Sequence, residues 1–179
     1  MKLLLHTCCA PCSVYCIDVL QKEGIQPTLY WYNPNIHPYM EYKQRKDTFI
    51  KYVEFLNLEY VLREEYGLRE FTKNVIDNLE NRCEYCYIKR LESTAIYAKE
   101  NGYDAFSTTL LISPYQQHDR IKQIAENIAQ KIGIKFLYQD FRVGFRKGQA
   151  KARELQMYMQ KYCGCVFSEE ERYLNKKGN

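Results

Sequence analysis

Cysteine is the residue type in this chain that is best suited to chemistry, and its eight copies fall into three groups. The first group places two cysteines side by side in HTCCAPCSVYC, the second forms a C-x-x-C pair in RCEYCY, and the third lies in YCGC. Thiolates bind soft metals and exchange electrons, so several thiol groups in one chain predict a metal centre or a redox site. The three groups are Cys8, Cys9, Cys12 and Cys16; Cys83 and Cys86; and Cys163 and Cys165.

The overall composition indicates that these thiols lie in a reducing compartment. The chain has 179 residues, of which 46% are hydrophobic and 27% charged, an ordinary profile for a soluble domain. No run approaches the roughly 20 apolar residues of a membrane span, and KLLL is too short for the apolar part of a secretory signal. We therefore expect a cytoplasmic protein without a membrane partner, in which the cysteines are not a structural disulfide set. The net charge of +4 permits a polyanionic partner without requiring one.

The adjacent thiols of Cys8 and Cys9 favour a polynuclear metal cluster over a single ion. In a cubane iron–sulfur cluster, neighbouring thiolates can bind different irons, and Cys83 and Cys86, one helical turn apart, can bind the other two. The alternative is a single zinc held by Cys9, Cys12, Cys83 and Cys86, which leaves Cys8 without a role. Buried cysteines that pack as small hydrophobic residues are a third interpretation.

The remaining cysteines allow more than one interpretation. A disulfide between Cys163 and Cys165 would be strained, because one residue separates them, and strained disulfides tend to be labile or catalytic. The two thiols could instead stay reduced beside the metal, or have no shared role. In the C-A-P-C segment, Cys12 could also be the reactive thiol of a thiol–disulfide oxidoreductase. We expect Cys16 to pack in the core.

Polar residues near the predicted strand ends give less specific signals. His6 precedes the first cysteine group on a buried strand, where a histidine bonded to backbone fits as well as a catalytic one. Ser113 follows the fourth strand and could cap the next helix. Asp140 and Arg142 follow the fifth strand, where they could serve proton transfer and phosphate binding, or form a local ion pair in a solvated loop.

Short apolar runs alternate with helical periodicity along the chain, which predicts strand–helix–strand units around a mostly parallel sheet. Gly102 and Gly133 are placed as helix C-caps, each just before the next strand. The predicted strands span residues 3–6, 28–32, 59–63, 104–109 and 135–139. The apolar faces of the predicted helices comprise Phe49, Val53 and Leu56; Ile88, Leu91, Ala95 and Ala98; and Ile121, Ile124, Ala125, Ile128 and Ile132.

The expected fold is a single α/β domain over residues 1–179, with a Rossmann-like, five-stranded, mostly parallel sheet and helices on both faces. Residues 67–102 are predicted to form a helical insertion and residues 142–179 a helical C-terminal segment, with a frayed tail NKKGN at 175–179. The first strand leads directly into the first cysteine group, and Pro11 suits the start of a helix. These thiols are thus predicted at the carboxyl edge of the sheet, where open α/β folds bind ligands.

Five segments together resemble the QueH-type epoxyqueuosine reductases, from residue 3 to about residue 172. They are HTCCAPCSVY, RCEYCYIKRLESTA, FSTTLLISPYQQHDRIKQIAE, DFRVGFRKGQ and YCGCVFSEEER. The resemblance implies a cytoplasmic oxidoreductase that reduces epoxyqueuosine to queuosine at the wobble position of the tRNA anticodon loop, the final step of queuosine biosynthesis. It implies an iron–sulfur cluster and no cobalamin. We expect no ATP chemistry, because HTCCAPC replaces the phosphate loop of related adenylating enzymes.

The resemblance also suggests roles for the cysteines. Cys12 would lie beside the cluster and could bind an additional iron that acts as a Lewis acid on the leaving oxygen. The pair Cys163 and Cys165 could carry electrons or bind that iron, and an external electron donor would reload the cluster. The predicted ligands of the [4Fe-4S] cluster are Cys8, Cys9, Cys83 and Cys86.

The other predicted site residues serve proton transfer and tRNA binding. Basic side chains would contact phosphates, and tyrosines would stack on unpaired bases of the anticodon loop. If the basic residues only solubilise helix faces, tRNA binding would not depend on salt. The candidate proton donors are Tyr115, His118 and Asp140. The candidate tRNA-binding residues, expected on an exposed rim, are Lys89, Arg90, Arg142, Arg146, Lys147 and Lys151, with Tyr85, Tyr87 and Tyr115 as stacking residues.

Overall fold

Five strands form one sheet in the order β3-β2-β1-β4-β5, and every neighbouring pair is parallel. This computed structural model describes residues 1–174, so the predicted frayed tail at 175–179 lies outside the described residues. The α/β class and the five predicted strands are confirmed, and the sheet is parallel throughout. The strands are β1 (Leu3–His6), β2 (Thr28–Trp31), β3 (Tyr60–Leu62), β4 (Ala105–Thr108) and β5 (Lys135–Phe136).

The helices pack in two groups, α1 with α2 and α6, and α4 with α5, as expected for helices that cover the two faces of a sheet. The residues of β1, β2 and β4 are buried, because these three strands lie inside the sheet. The helices are α1 (Ala10–Lys22), α2 (Tyr39–Phe55), α3 (Leu68–Val75), α4 (Arg82–Glu100), α5 (His118–Ile132), α6 (Phe145–Glu154) and α7 (Val166–Leu174).

Local sequence signals fix several helix ends. Pro11 lies in the first turn of α1, where its missing N–H is not needed and its fixed φ suits the helix. Gly102 and Gly133 follow α4 and α5 with φ of +68° and +72°, the left-handed conformation that glycine adopts without steric strain. Both predicted C-caps are therefore confirmed.

The predicted helical insertion is part of the crossover connection between β3 and β4. Residues 67–102 contain α3, a short 3-10 helix (Leu79–Asn81) and α4. Because α4 packs on β1 and β4, it is the helix that connects β3 to β4 across the sheet. Its buried face includes Leu91, Ala95 and Ala98 as predicted, but Ile88 is 38% exposed and lies outside that face.

Two other predicted elements are shorter than expected. The fifth strand was predicted over 135–139, but β5 covers two residues, followed by one more hydrogen bond from the N–H of Leu137 to the carbonyl of Phe106 (2.9 Å). Within residues 142–174, the predicted C-terminal segment contains a short 3-10 helix (Arg142–Gly144) followed by two α-helices, α6 and α7. Residues 155–165 between them are an irregular strap, which side-chain contacts to α2 hold in place, as described below. Among the described residues, no helix has the length and apolarity needed to span a membrane.

Candidate metal centre

The first cysteine group lies where the direction of the sheet reverses. From β1 the chain proceeds outward to β2 and β3, and later to β4 and β5 on the other side of β1. In open α/β sheets such a switch point leaves a crevice at the carboxyl ends of the two central strands. Cys8 follows β1 and Thr109 follows β4, and the Thr109 hydroxyl accepts the Cys8 N–H (3.1 Å) and donates to Cys8 Sγ (3.3 Å). The crevice therefore contains the predicted thiols.

Three thiols meet at this crevice: the sulfur atoms of Cys8, Cys9 and Cys12 all lie within 4.8 Å of one another. Cys9 has the extended backbone of an N-cap residue and Cys12 lies in the first turn of α1, so the strand-to-helix turn folds the sequence C-C-A-P-C back onto itself. Cys9 and Cys12 are buried and Cys8 is partly exposed. Three converging thiols at one accessible edge form a donor set that suits a soft metal.

Hydrogen bonds among the three thiols move their pKa values in opposite directions. The pKa of Cys8 is well below its usual value, because Cys12 and Cys9 direct hydrogen bonds to its sulfur. The same hydrogen bond raises the pKa of Cys12, and burial raises the pKa of Cys9. A metal cation would displace the remaining protons, since coordinated thiols are deprotonated.

Polar donors already point at several sulfur atoms. The side-chain amide of Gln160 donates to Cys9 Sγ (2.9 Å) and the guanidinium of Arg90 to Cys86 Sγ (3.0 Å). Hydrogen bonds to thiolate sulfur stabilise its negative charge and tune the potential of a metal centre. The residues present therefore fit a thiolate-bound metal.

The second and third cysteine groups line the same cleft. Cys83 and Cys86 lie one turn apart at the start of α4, and burial raises the pKa of both, to about 12 for Cys86. Cys163 and Cys165 also line the cleft, and all eight cysteines of the chain are free thiols in the described structure. The disulfide considered above is thus not formed, and Cys163 Sγ instead accepts a hydrogen bond from the Gln116 amide (3.1 Å).

The grouping of the thiols differs from the predicted ligand set. The prediction pairs Cys8 and Cys9 with Cys83 and Cys86 and leaves Cys12 beside them. In the structure, Cys12 is the third member of the close group, while Cys83 and Cys86 lie on the wall of the cleft outside it. The four-cysteine set remains a prediction. Cys16 packs in the core with no exposed surface, and its thiol donates to the carbonyl of Cys12 (3.4 Å).

The cleft in front of the thiols is large and strongly basic. Its volume is about 1140 Å³, enough for a nucleotide and part of its neighbours. Seven basic side chains and one carboxylate, Glu171, line it, and Glu171 is paired with Arg82 (2.6 Å). Such a balance of charge favours a polyanionic ligand. The basic residues are Arg45, Arg82, Arg90, Arg146, Arg153, Lys161 and Arg172.

The predicted tRNA-binding residues separate into different environments. Arg146 lines the cleft and is exposed, and Lys147 is exposed but not among the residues that line it. Arg142 forms an ion pair with Asp140 (2.6 Å). Arg90 and Tyr87 are each 2% exposed, so the prediction that Arg90 lies on an exposed rim is wrong. The helical phase of α4 turns both side chains inward together with Cys86.

The candidate proton donors also differ in position. Tyr115 is 85% exposed and lines the cleft, with its ring edge-on to Phe145 (5.8 Å between centroids). His118 and Asp140 are not among the residues that line the cleft, and His118 Nε2 contacts the Tyr138 hydroxyl (3.1 Å). Arg142 holds the pKa of Asp140 at about 2, so this carboxylate has no proton to donate at neutral pH. The catalytic roles of Tyr115, His118 and Asp140 remain predictions.

His6 is a packed core residue. It is fully buried, and its ring nitrogens contact the Thr108 hydroxyl (2.9 Å) and the Tyr32 carbonyl (3.3 Å). Burial lowers the pKa of His6 to about 4, so the ring is neutral. This arrangement corresponds to the backbone-bonded interpretation of His6.

Three site residues gave no signal in the sequence. Arg45 of α2 is 2% exposed and donates to the carbonyls of Cys163 (2.7 Å) and Tyr162 (3.0 Å). Gln160 lies three residues before Cys163, and its amide reaches Cys9. Asn35 lines the cleft with a buried Oδ1 that has no hydrogen-bond partner among the described residues. They come from segments far from the first cysteine group, so their contribution depends on tertiary contacts.

Arg45 is expected to anchor the strap. It forms a buried ion pair with Glu41 (2.7 Å), so replacing it by methionine would leave Glu41 unpaired and two strap carbonyls without their donor. Arg45→Met should lower the free energy of unfolding by roughly 3 kcal/mol, measured by urea denaturation. The matched control is Lys43→Met, which removes an exposed pair with Asp47 on the same helix and should cost at most about 0.5 kcal/mol. Equal losses in both variants would contradict the anchoring role.

The fold and the site together define a Rossmann-like α/β protein with a thiol-lined centre at the carboxyl edge of its sheet. The family described as "Epoxyqueuosine reductase QueH" matches residues 3–171. The chain belongs to this family, which confirms the resemblance seen in its motifs.

Curated relatives of the same name match nearly the whole chain. The epoxyqueuosine reductase QueH of Dehalococcoides mccartyi is 41% identical over 172 residues, covering 96% of this chain and 94% of the relative. That of Thermotoga maritima is 36% identical, covering 94% and 91%. A crystal structure described as a "predicted subunit of tRNA methyltransferase" from Methanocaldococcus jannaschii has a TM-score of 0.54, covering 100% of this chain and 90% of that one. At 14% identity, this likeness shows the fold alone.

Proposed function

We propose that this protein is an epoxyqueuosine reductase acting on tRNA. The reaction removes the epoxide oxygen of the wobble nucleoside as water, consumes two electrons and two protons, and leaves the cyclopentene ring of queuosine. The observation that carries this proposal is the group of three thiols within 4.8 Å at the switch point of the sheet, facing a basic cleft. Relatives that bear the name of this activity match the chain over nearly its full length.

The proposed cofactor is a [4Fe-4S] cluster, which would supply electrons one at a time when bound. Cys8, Cys9, Cys83 and Cys86 are its proposed ligands, and Cys12 would then be available for an additional iron. The support for a cluster is the chemistry of the donor set: thiols on one cleft, with hydrogen-bond donors directed at Cys8, Cys9 and Cys86.

The chain's own residues would position the substrate and supply protons. Tyr115 is the proposed proton donor with the most direct access, because it is exposed on the wall of the cleft. The Oδ1 of Asn35, which has no partner within residues 1–174, can accept a hydrogen bond from the substrate. Cys163 and Cys165 lie on the same wall as free thiols and could pass electrons from an external donor.

The basic cleft is the proposed tRNA-binding surface. Side chains such as Arg146, Arg153 and Lys161 can contact backbone phosphates, while Tyr115 and Phe145 offer aromatic surface for an unpaired base. Anticodon-loop bases are unpaired and can enter such a cleft without strand opening. We propose that the protein acts in the cytoplasm, where its tRNA substrate is found.

The decisive experiment is to prepare the protein without oxygen and measure metal, sulfide and turnover of tRNA that carries epoxyqueuosine. We expect about four irons with matching sulfide per chain and conversion to queuosine in the presence of a chemical reductant. More iron than sulfide would indicate an additional iron. A colourless protein with one zinc and no conversion would contradict the proposal and favour a zinc-stabilised tRNA-binding protein. Activity that survives removal of metal would favour a thiol–disulfide oxidoreductase.

A further inference from the structure

Arg90 is a buried cation that pairs with no carboxylate in the described part of the chain. Its side chain lies in the middle of α4 and the residue is 2% exposed. A guanidinium remains protonated in proteins, so burial requires a compensating negative charge nearby. Among residues 1–174, no carboxylate lies within 4.0 Å of Arg90, whereas the other fully buried arginine of the cleft, Arg45, is paired with Glu41.

Arg90 forms its side-chain hydrogen bonds with Cys86. Its Nη2 donates to Cys86 Sγ (3.0 Å) and its Nε donates to the carbonyl of Cys86 (3.1 Å), which fixes the guanidinium against one cysteine.

We propose that Arg90 is the fixed counter-charge of the Cys86 thiolate and that it raises the reduction potential of the metal centre. This inference rests on the proposed function, since it requires a metal bound at these thiols. A thiolate-ligated centre gains negative charge when it is reduced, and a cation held 3.0 Å from a ligand sulfur stabilises that state more than the oxidised one. Arg90 is therefore a positioning residue that acts through Cys86 inside the protein.

The test compares the reduction potential of the metal-loaded wild type with those of Arg90→Met and Arg90→Lys. Methionine retains much of the volume and removes the charge, whereas lysine retains the charge. We expect the methionine variant to be reduced only at lower potential, with the lysine variant closer to wild type. A methionine variant that binds less metal than the lysine variant would also support the proposal. If Arg90→Met does not fold, Arg90→Gln provides the same neutral comparison.

The matched control is Lys99→Gln, which removes one positive charge from an exposed position of the same helix. It should leave the potential unchanged. Equal potentials in the wild type, neutral and lysine variants at full metal content would overturn the proposal, as would equal metal loss in the methionine and lysine variants. If the wild type is active and holds metal but the neutral variant has the same reduction potential, only the role of Arg90 is contradicted. If the wild type binds no iron, the proposed function itself is contradicted.

Discussion

Replacing Cys9 by alanine is expected to abolish both iron binding and the reduction of epoxyqueuosine. Cys9 is 1% exposed, it lies at the N-cap of α1 with its sulfur in the three-thiol group, and it accepts a hydrogen bond from Gln160. Without this sulfur the centre loses one of the three thiols that converge at the switch point. We expect activity to fall by more than about 100-fold, beyond the loss that is typical when only an outer partner of a metal ligand is removed. Iron analysis and turnover of modified tRNA provide the two measurements.

Cys16→Ala is the matched control for this prediction. Cys16→Ala is the same chemical change as Cys9→Ala. Cys16 also lies in α1 and is fully buried, but its sulfur is outside the three-thiol group. The substitution should cost about 1 kcal/mol of stability through lost packing and leave iron content and activity intact. Full iron content in the Cys9 variant would exclude Cys9 as a ligand.

Alanine variants of the other thiols would decide between the two groupings. If Cys8, Cys9, Cys83 and Cys86 hold the cluster, Cys12→Ala should retain four irons and lose only an additional one. If the close group of Cys8, Cys9 and Cys12 holds the metal, Cys12→Ala should lose it entirely. Comparing iron and sulfide content across the variants distinguishes these results directly.

The second large effect is expected in tRNA binding. If the anticodon loop lies in the basic cleft and about four phosphates are neutralised, raising salt from 50 to 200 mM should weaken binding roughly 50-fold. The double variant Arg153→Gln/Lys161→Gln removes two cleft cations and should weaken binding at low salt and flatten its salt dependence. Affinity measured by fluorescence anisotropy at several salt concentrations gives both quantities.

Lys135→Gln is a suitable control for the binding experiment. Lys135 is exposed on β5 and is not among the residues that line the cleft, so its loss changes net charge without changing the proposed surface. Lys135→Gln should leave the salt dependence of tRNA affinity unchanged. If the double variant binds tRNA with the affinity and salt dependence of the wild type, the RNA must contact another surface.

The sequence by itself determined most of the secondary structure and the positions of the cysteine groups along it. Buried apolar runs define the strands because a parallel sheet covered on both faces requires them, and Gly102 and Gly133 mark helix ends through their backbone freedom. The cysteine groups were visible because several clustered thiols in one chain are typical of a metal or redox site. The turn from β1 into α1 places Cys8, Cys9 and Cys12 within a few residues, so local geometry is enough to bring them together.

The tertiary structure alone decided which distant residues complete the site. Arg45 reaches the site from α2 and Gln160 reaches it from the strap. Each forms a hydrogen bond with a residue more than 100 positions away in the sequence. Arg90 was predicted on an exposed tRNA-binding rim, although its spacing of four from Cys86 and Thr94 places all three on one helical face. Burial of that face against the sheet prevails over the preference of a guanidinium for water.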